Sequence, residues 1–386
     1  MAVLRFSSAG LISIALLLVA WQLADGSAQG RAFSYSLISG AVFGVLLQRS
    51  RFCFFCVTRD FIERRVPDGL LGIIAALALG AAGYHALFGA FLPDPSSGRL
   101  PPDAHVGPIS WVLAAAACVF GIGMAISGSC VSAHLYRLGE GAFASLAALV
   151  GALLGFALGF ICWNYLYLAQ LQQAPVIWLP NSLGYGGSLL LQLLVLGALA
   201  TWLWRYKKPS AQAHSASLWQ SLFAQRWPTW VGGLLIGTLA IAAYFRIGPL
   251  GVTAELGSLA RTGAHNAGWL PERLEGLDGF AGCATVVKEA LLSNNGLFVL
   301  GLVFAAWASA LLAGDFSPKR PSARELTRNA LGGVLLGFGS LLALGCTVGT
   351  LLSGIMAGAA SGWLFAAFCL IGIIAGLKLR PLLRLG

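Results

Sequence analysis

Long stretches without any Asp, Glu, Lys or Arg are the feature that most limits how this chain can fold. These stretches cover residues 6–24, 32–48, 69–93, 104–136, 142–204, 227–245, 290–314 and 329–377. A helix needs about 20 apolar residues to cross a bilayer, and within lipid the backbone finds its hydrogen bonds only in a helix or a closed barrel. We therefore predict an all-α polytopic membrane protein.

The composition excludes a soluble protein. Hydrophobic residues make up 58% of the chain and charged residues only 10%, with a mean hydropathy of +0.81. Soluble domains carry about 25% charged residues. The net charge of +10 is then interpreted as basic residues held on the cytoplasmic side, with some attraction for an anionic substrate, rather than as a nucleic-acid signal.

The lengths of the uncharged stretches give the number of crossings. Residues 142–204 hold two crossings split at the polar segment 171–182, and residues 329–377 hold two split near Gly345–Gly349. This predicts about 9–10 crossings. The first stretch is interpreted as a retained helix rather than a signal peptide, because Arg5 is its only leading base.

The loops predict the orientation. Segment 205–229 carries four basic residues and no acid, so we expect a cytoplasmic linker there. It divides the chain into a first membrane half (1–204) and a second (230–386). The basic loops 49–68 and 315–328 are expected on the same side of the membrane.

Two stretches resemble each other at an offset of 216 residues. Gly121-Ile-Gly123 precedes Cys130, and Gly337-Phe-Gly339 precedes Cys346. The crossing count makes the two preceding helices run in opposite directions. We therefore predict two inverted repeats with broken or re-entrant helices that meet near the bilayer midplane, where such repeats bind substrates.

The interruptions themselves are rich in Gly and Ser. The candidate residues at the first break are Ser127, Gly128, Ser129 and Cys130, and those at the second are Gly345, Cys346 and Thr347. A break exposes amide groups and the positive end of a half-helix, which suits an anion. Close packing of helices is the alternative interpretation of the glycines. In a weaker repeat, the pair Gly40/Gly44 matches Gly233/Gly237 at an offset of 193. These glycines can also be interpreted either as part of a binding site or as close helix packing.

The eight cysteines favour neither a metal site nor a disulfide framework. They lie mostly inside apolar segments, without zinc-type spacing and with few carboxylates nearby. Cys118, Cys162 and Cys369 are interpreted as small hydrophobic residues. No cofactor motif and no Walker A sequence is visible, so we expect no cofactor.

Three motifs resemble the YeeE/YedE family of sulfur-compound permeases. They are Gln48-Arg-Ser-Arg-Phe-Cys53 with Arg59-Asp60, the block from Cys130 through Tyr136-Arg137 to Gly141, and Gly345-Cys346-Thr-Val-Gly349. The resemblance implies an inner-membrane permease that imports thiosulfate or a related small sulfur anion. It also implies that Cys53, Cys130 and Cys346 line the substrate path.

The chemistry of the ligand agrees with thiols. Thiosulfate is a dianion with a polarisable terminal sulfur, and a neutral thiol can donate a weak hydrogen bond to it without adding charge. Hydroxyls of Ser127, Ser129 and Thr347 could add donors. Arg137 is expected either to attract the substrate or to form a structural ion pair with Glu140. A cytoplasmic sulfur-handling protein is a further expected partner.

Two alternatives stay open at this point. One is transport of another sulfur or selenium compound. The other is a membrane thiol–disulfide or sulfur-transfer enzyme that uses the Cys53-Phe-Phe-Cys56 pair, although no matching pair occurs in the second half. Roles for Cys56 and Cys283 are left undecided.

Overall fold

A computed structural model describes residues 2–208, 220–279, 285–290 and 292–382. Within these ranges the chain is helical almost throughout, and β-structure is limited to isolated bridges. Cys283 and part of the predicted linker, residues 209–219, lie outside the described residues.

The long helices follow the uncharged stretches. In chain order they are α1 (Ala2–Leu23), α2 (Ala28–Ser50), α3 (Phe54–Arg64), α4 (Asp68–Phe91), α5 (Trp111–Ser127), α6 (Val131–Gly139), α7 (Ala144–Ala169), α8 (Leu179–Trp204), α9 (Thr229–Arg246), α10 (Thr253–Asn266), α11 (Asn294–Ala313), α12 (Ala323–Leu342), the single turn α13 (Gly354–Met356) and α14 (Ala360–Leu382). A π-helical segment, Thr347–Ser353, leads into α13.

The expected number of crossings is confirmed. Nine helical spans among the described residues are long and apolar enough to cross a membrane. A bent pair, α12 with Thr347–Met356, raises the number to ten when it is counted as one span. The polar segment 171–182 does separate α7 from α8, and the second long stretch does break next to Gly345. The protein is a multi-pass membrane protein.

Several long helices of each half pack against a helix of the other half. Helix α2 packs on α11 while α9 packs on α4, and α5 packs on α14 while α12 packs on α7. With α1 left out, α2 and α9 are the first helices of the two halves, and α5 and α12 are the fourth. A reciprocal exchange of this kind fits two repeats that interlock around an approximate two-fold axis.

Helices α5 and α12 lie side by side and run in opposite directions. Ser127, at the end of α5, is next to Gly332 near the start of α12, and Gly339 near the end of α12 is next to Ala116 of α5. Opposite directions for equivalent helices fit an inverted relation. The meeting of the two breaks at the bilayer midplane and the division at 205–229 stay predictions.

Most glycines inside the helices serve close packing. Gly40 and Gly44 lie against backbone carbonyls of α11, and Gly233 and Gly237 lie against backbone carbonyls of α4. A side chain at any of these positions would collide with main chain. For these two Gly-x-x-x-Gly pairs the packing interpretation therefore holds, and binding has to be sought at the breaks.

Candidate functional site

The first break lies between α5 and α6. Gly128 ends α5 in the left-handed conformation, with φ +85°, and its N–H donates to the Met124 carbonyl at 2.8 Å. A glycine adopts this conformation without the strain that a Cβ would bring. Cys130 follows in extended conformation and caps the start of α6.

Cys53 occupies an equivalent place between α2 and α3. It is extended and caps α3, and its sulfur accepts the backbone N–H of Cys56 at 3.4 Å. A capping side chain typically bonds the N–H two or three residues further on. The geometry of a helix start thus brings the backbone of residue 56 to the Cys53 sulfur, whatever side chain residue 56 carries.

The thiols of these two N-cap residues touch. The sulfur atoms of Cys53 and Cys130 are 3.9 Å apart, and both residues are fully buried. That distance is far beyond the roughly 2.05 Å of a disulfide bond, so these are two thiols in contact. The hydroxyl of Ser132 lies 3.3 Å from the Cys130 sulfur. Two short helices thus begin at one point, where their free N–H groups favour a negative ligand.

Arg137 reaches back over the same point. Its guanidinium donates to the Gly128 carbonyl at 3.4 Å and lies 3.5 Å from the sulfur of Cys56. The ion pair expected between Arg137 and Glu140 is not among the salt bridges of the described residues, and that interpretation was wrong. Glu140 lies past the end of α6 and turns instead to Gln48.

The second break has a different local structure. Leu344 is left-handed with φ +54°, and the π-helical segment begins immediately after Cys346. Cys346 and Thr347 are both almost completely buried. In the part of the chain that the structure describes, the Cys346 thiol makes no hydrogen bond, to Cys53, Cys130 or any other group. The structure thus brings Cys53, Cys130, Gly128 and Arg137 together and leaves Gly345, Cys346 and Thr347 at the other break.

The serines of the first break use their hydroxyl protons locally. The Ser127 hydroxyl donates to the Gly123 carbonyl at 2.9 Å, and that of Ser129 donates to the Gly128 carbonyl at 2.7 Å. These bonds hold the bend together, and neither proton is left for a substrate. Of the hydroxyls at this break, Ser132 is the one that lies against a thiol.

A family model described as "Sulphur transport" matches residues 49–375, which includes both breaks and all three candidate thiols. The chain belongs to this family. The resemblance to sulfur-compound permeases is thereby confirmed.

Two curated relatives of the sulfur transport family cover nearly the whole chain. The "Thiosulfate transporter TsuA" of Escherichia coli (strain K12) is 24% identical over 364 residues, which are 87% of this chain and 91% of that protein. The protein of the same name from Spirochaeta thermophila is 27% identical over 359 residues, or 87% and 95%. The "Probable transporter YedE" of Escherichia coli is 31% identical over 94 residues, or 24% of this chain and 23% of the relative.

A polar cluster below the thiols of this family member was not predicted. The Gln48 amide nitrogen lies 3.3 Å from an oxygen of Glu140 and 3.2 Å from an oxygen of Asp315, and its carbonyl accepts the Ser309 hydroxyl at 2.8 Å. Gln48 is almost fully buried and ties the end of α2 to the residues that follow α6 and to α11. Burial raises the pKa of the Glu140 carboxyl.

A buried histidine also lies near the thiols. Its ring nitrogen Nδ1 is 3.2 Å from the Ser145 hydroxyl, and Nε2 of His134 has no hydrogen-bond partner among the described residues. Among the described residues, no three His, Cys, Asp or Glu side chains come together in a way that could hold a metal ion.

Proposed function

We propose that the protein is an inner-membrane permease that imports thiosulfate, or a closely related sulfur anion, along a path that includes Cys53, Cys130 and Cys346. The contact between the Cys53 and Cys130 thiols, at the start of two helices and beside Arg137, is the observation that supports this most. The printed names of the two long relatives point to thiosulfate as the anion.

The site matches the two ends of such a dianion. The guanidinium of Arg137 and the free N–H groups at the starts of α3 and α6 favour the oxyanion end. The thiols contact the terminal sulfur, with a weak S–H donor and high polarisability. Weak contacts suit a transport path, because the ion has to leave as readily as it enters.

The closeness of the two sulfurs implies a closed path. At 3.9 Å the thiols are in contact and leave no room for an anion between them. We propose that the terminal sulfur of the substrate takes the place of this contact as the thiols separate, so that one thiol–thiol contact is exchanged for two thiol–substrate contacts.

We further propose that transport occurs without catalysis. The Cys53 sulfur lies 3.9 Å from the Cys130 sulfur, and the backbone N–H of Cys56 donates to it as well. The relatives are named transporters. With no Walker A sequence, uptake would follow a gradient or consumption by a cytoplasmic sulfur-handling partner.

The test is uptake of labelled thiosulfate into proteoliposomes that contain the purified protein, with unlabelled sulfate and selenite as competitors. We expect saturable uptake in which thiosulfate competes far better than sulfate, because sulfate lacks a terminal sulfur. Empty liposomes are the background control. Equal competition by sulfate would contradict a role for the thiols in selection.

The alternative function, a thiol–disulfide enzyme that uses Cys53 and Cys56, is tested with single Ser variants in the same assay. Transport predicts that Cys53→Ser impairs uptake more than Cys56→Ser, with Cys162→Ser on the protein exterior as the matched control. A thiol–disulfide enzyme needs both sulfurs of the pair. Equal loss for Cys53→Ser and Cys56→Ser, with normal uptake for Cys130→Ser, would favour the enzyme.

A further inference from the structure

A cavity of about 380 Å³ lies between α1, α2, α11 and the segment Gln220–Ala224, and neither of the touching thiols lines it. Its wall is mainly apolar, with Val45, Leu222, Ala305, Ala308 and Leu312 among its residues. One charged side chain, Arg49, belongs to the same wall. An apolar cavity with a single cation in its wall is suited to an amphiphile with a negative head.

The charge of Arg49 is incompletely matched. The residue is 2% exposed, and its Nη2 donates to the Gln225 carbonyl. Its Nε and Nη1 are buried and have no hydrogen-bond partner among the described residues. The Asp315 carboxylate is 4.0 Å from Nη1, too far for a hydrogen bond, and Arg226 adds a second positive charge nearby. Buried N–H groups of a cation without partners are costly, so Arg49 has two donors that a negative group could satisfy.

We propose that this cavity binds an anionic phospholipid of the surrounding bilayer, with the phosphate at Arg49 and Arg226 and an acyl chain against the apolar wall. The basic residues of segment 205–229 predict that this end of α2 faces the cytoplasm, where basic pockets between helices bind acidic headgroups. A free phosphate ion gains nothing from the apolar wall, which favours the lipid over the ion.

The bound lipid would hold the segment before α9 on the helix bundle. The Trp227 backbone N–H donates to the Arg49 carbonyl at 3.0 Å, and the Arg49 side chain donates to the carbonyl of Gln225. Arg49 is thus the link between this segment and α2. It is also the neighbour of Gln48, which anchors the residues after α6. The proposal concerns this link and does not depend on which anion is transported.

The experiment follows thermal unfolding of the delipidated full-length protein in detergent by tryptophan fluorescence. Phosphatidylglycerol, phosphatidylcholine and inorganic phosphate are titrated separately. We expect a saturable rise in the unfolding temperature with phosphatidylglycerol alone. An equal rise with phosphatidylcholine would overturn the requirement for a negative head, and an equal rise with inorganic phosphate would replace the lipid by an ion.

Paired variants locate the site. Arg226→Gln, on the exposed segment, should weaken phosphatidylglycerol binding about fivefold, the effect of roughly one basic residue near acidic lipid. Arg99→Gln, an exposed base in another loop, should leave binding unchanged.

A second pair of variants tests the cavity itself. Ala308→Phe fills the cavity and should abolish the rise in unfolding temperature, whereas Leu300→Phe, on the outward face of the same helix, should not. If Ala308→Phe does not fold, the comparison of Arg226→Gln with its control Arg99→Gln decides whether the lipid binds at this site. Wild-type binding by Arg226→Gln would overturn the site.

Discussion

The two chain breaks share a backbone plan but differ in their polar groups. At equal positions of the 216-residue offset, Gly128 and Leu344 are both left-handed, and Cys130 and Cys346 are both extended. The first break continues into a regular helix and the second into the π-helical segment Thr347–Ser353. The thiol and the bend are thus common to both, and the structure that follows is not.

Among the residues at the two breaks, charged side chains belong to the first break only. The residues that stand 216 positions after Ser132, Arg137 and Glu140 are Val348, Ser353 and Met356. The Cys130 sulfur has the Ser132 hydroxyl beside it, and the Arg137 guanidinium lies at the same break, whereas the Cys346 thiol makes no hydrogen bond among the described residues. This difference suggests a division of labour in which the first break holds the anion and the second only passes it on. A second cation would hold the dianion too tightly for release.

The largest expected effect on the rate of uptake is that of Cys130→Ser. The variant removes a thiol at the point where two helix starts and Arg137 meet, and the smaller, harder oxygen is a poorer partner for a polarisable sulfur. We expect initial uptake of thiosulfate to fall by an order of magnitude, the effect of about 1.4 kcal/mol in the transition state. Cys118→Ser is the control, because its thiol only donates to the Phe368 carbonyl and a hydroxyl can do the same. Normal uptake by Cys130→Ser would end the distinction between the breaks.

Arg137→Gln should act on affinity instead, with an effect of similar or greater size. A hydrogen bond to a charged group contributes about 1.5–3 kcal/mol, so we expect KM for thiosulfate to rise roughly ten- to a hundredfold. The KM of Arg137→Lys should lie between those of the wild type and Arg137→Gln, because lysine keeps the charge but not the planar fork of donors. Arg64→Gln, at the exposed end of α3, is the matched control. An unchanged KM in Arg137→Gln would mean that the anion is held elsewhere.

Cys346→Ser should reduce uptake less than Cys130→Ser. Its thiol has no hydrogen-bonding neighbour among the described residues, so the change removes a contact but no binding network. We expect a severalfold lower maximal rate with nearly normal KM, measured in the same vesicles. Losses of equal size at the two thiols would show that the breaks act alike.

Glu140→Gln should change how stability depends on pH. Burial raises the pKa of Glu140 above its ordinary 4.5, so ionisation costs stability and the wild type weakens as the pH rises through the folded-state pKa. Glutamine accepts the same bond from Gln48 and does not ionise. We expect equal unfolding temperatures below pH 4.5 and a higher one for the variant near neutral pH. Glu63→Gln, at the exposed end of α3, should show the same pH dependence as the wild type. If the unfolding temperatures of Glu140→Gln and the wild type change in parallel with pH, the raised pKa of Glu140 is contradicted.

The smallest effects should come from the left-handed residues. Gly128→Ala places a Cβ on a residue with φ +85° and should lower stability by about 1–2 kcal/mol, read as a lower unfolding temperature. Leu344→Gly relieves the same strain but loses packing, so we expect little net change. A Gly128→Ala protein as stable as the wild type would show that the bend of the first break is not needed.

The sequence by itself determined the helices and their breaks. Uncharged runs of a length set by the bilayer predict α7 and α8 as separate crossings, and glycine next to cysteine predicts the interruptions. The resemblance to sulfur-compound permeases singled out Cys53 and Cys130, through motifs that are each shorter than one helix. These properties are local: each depends on a window of residues no longer than one helix.

Only the tertiary structure decided which of these groups meet. Cys53 touches Cys130 across 77 positions of sequence, and Gln48 gathers Glu140 and Asp315 from 92 and 267 positions away. Such contacts depend on how the helices pack, and glycine-lined helix faces with similar sequences in both halves allow several pairings by pattern alone. For the same reason the Arg137–Glu140 pair was expected at helical spacing and does not form, since a buried amide from a distant helix holds the carboxylate instead.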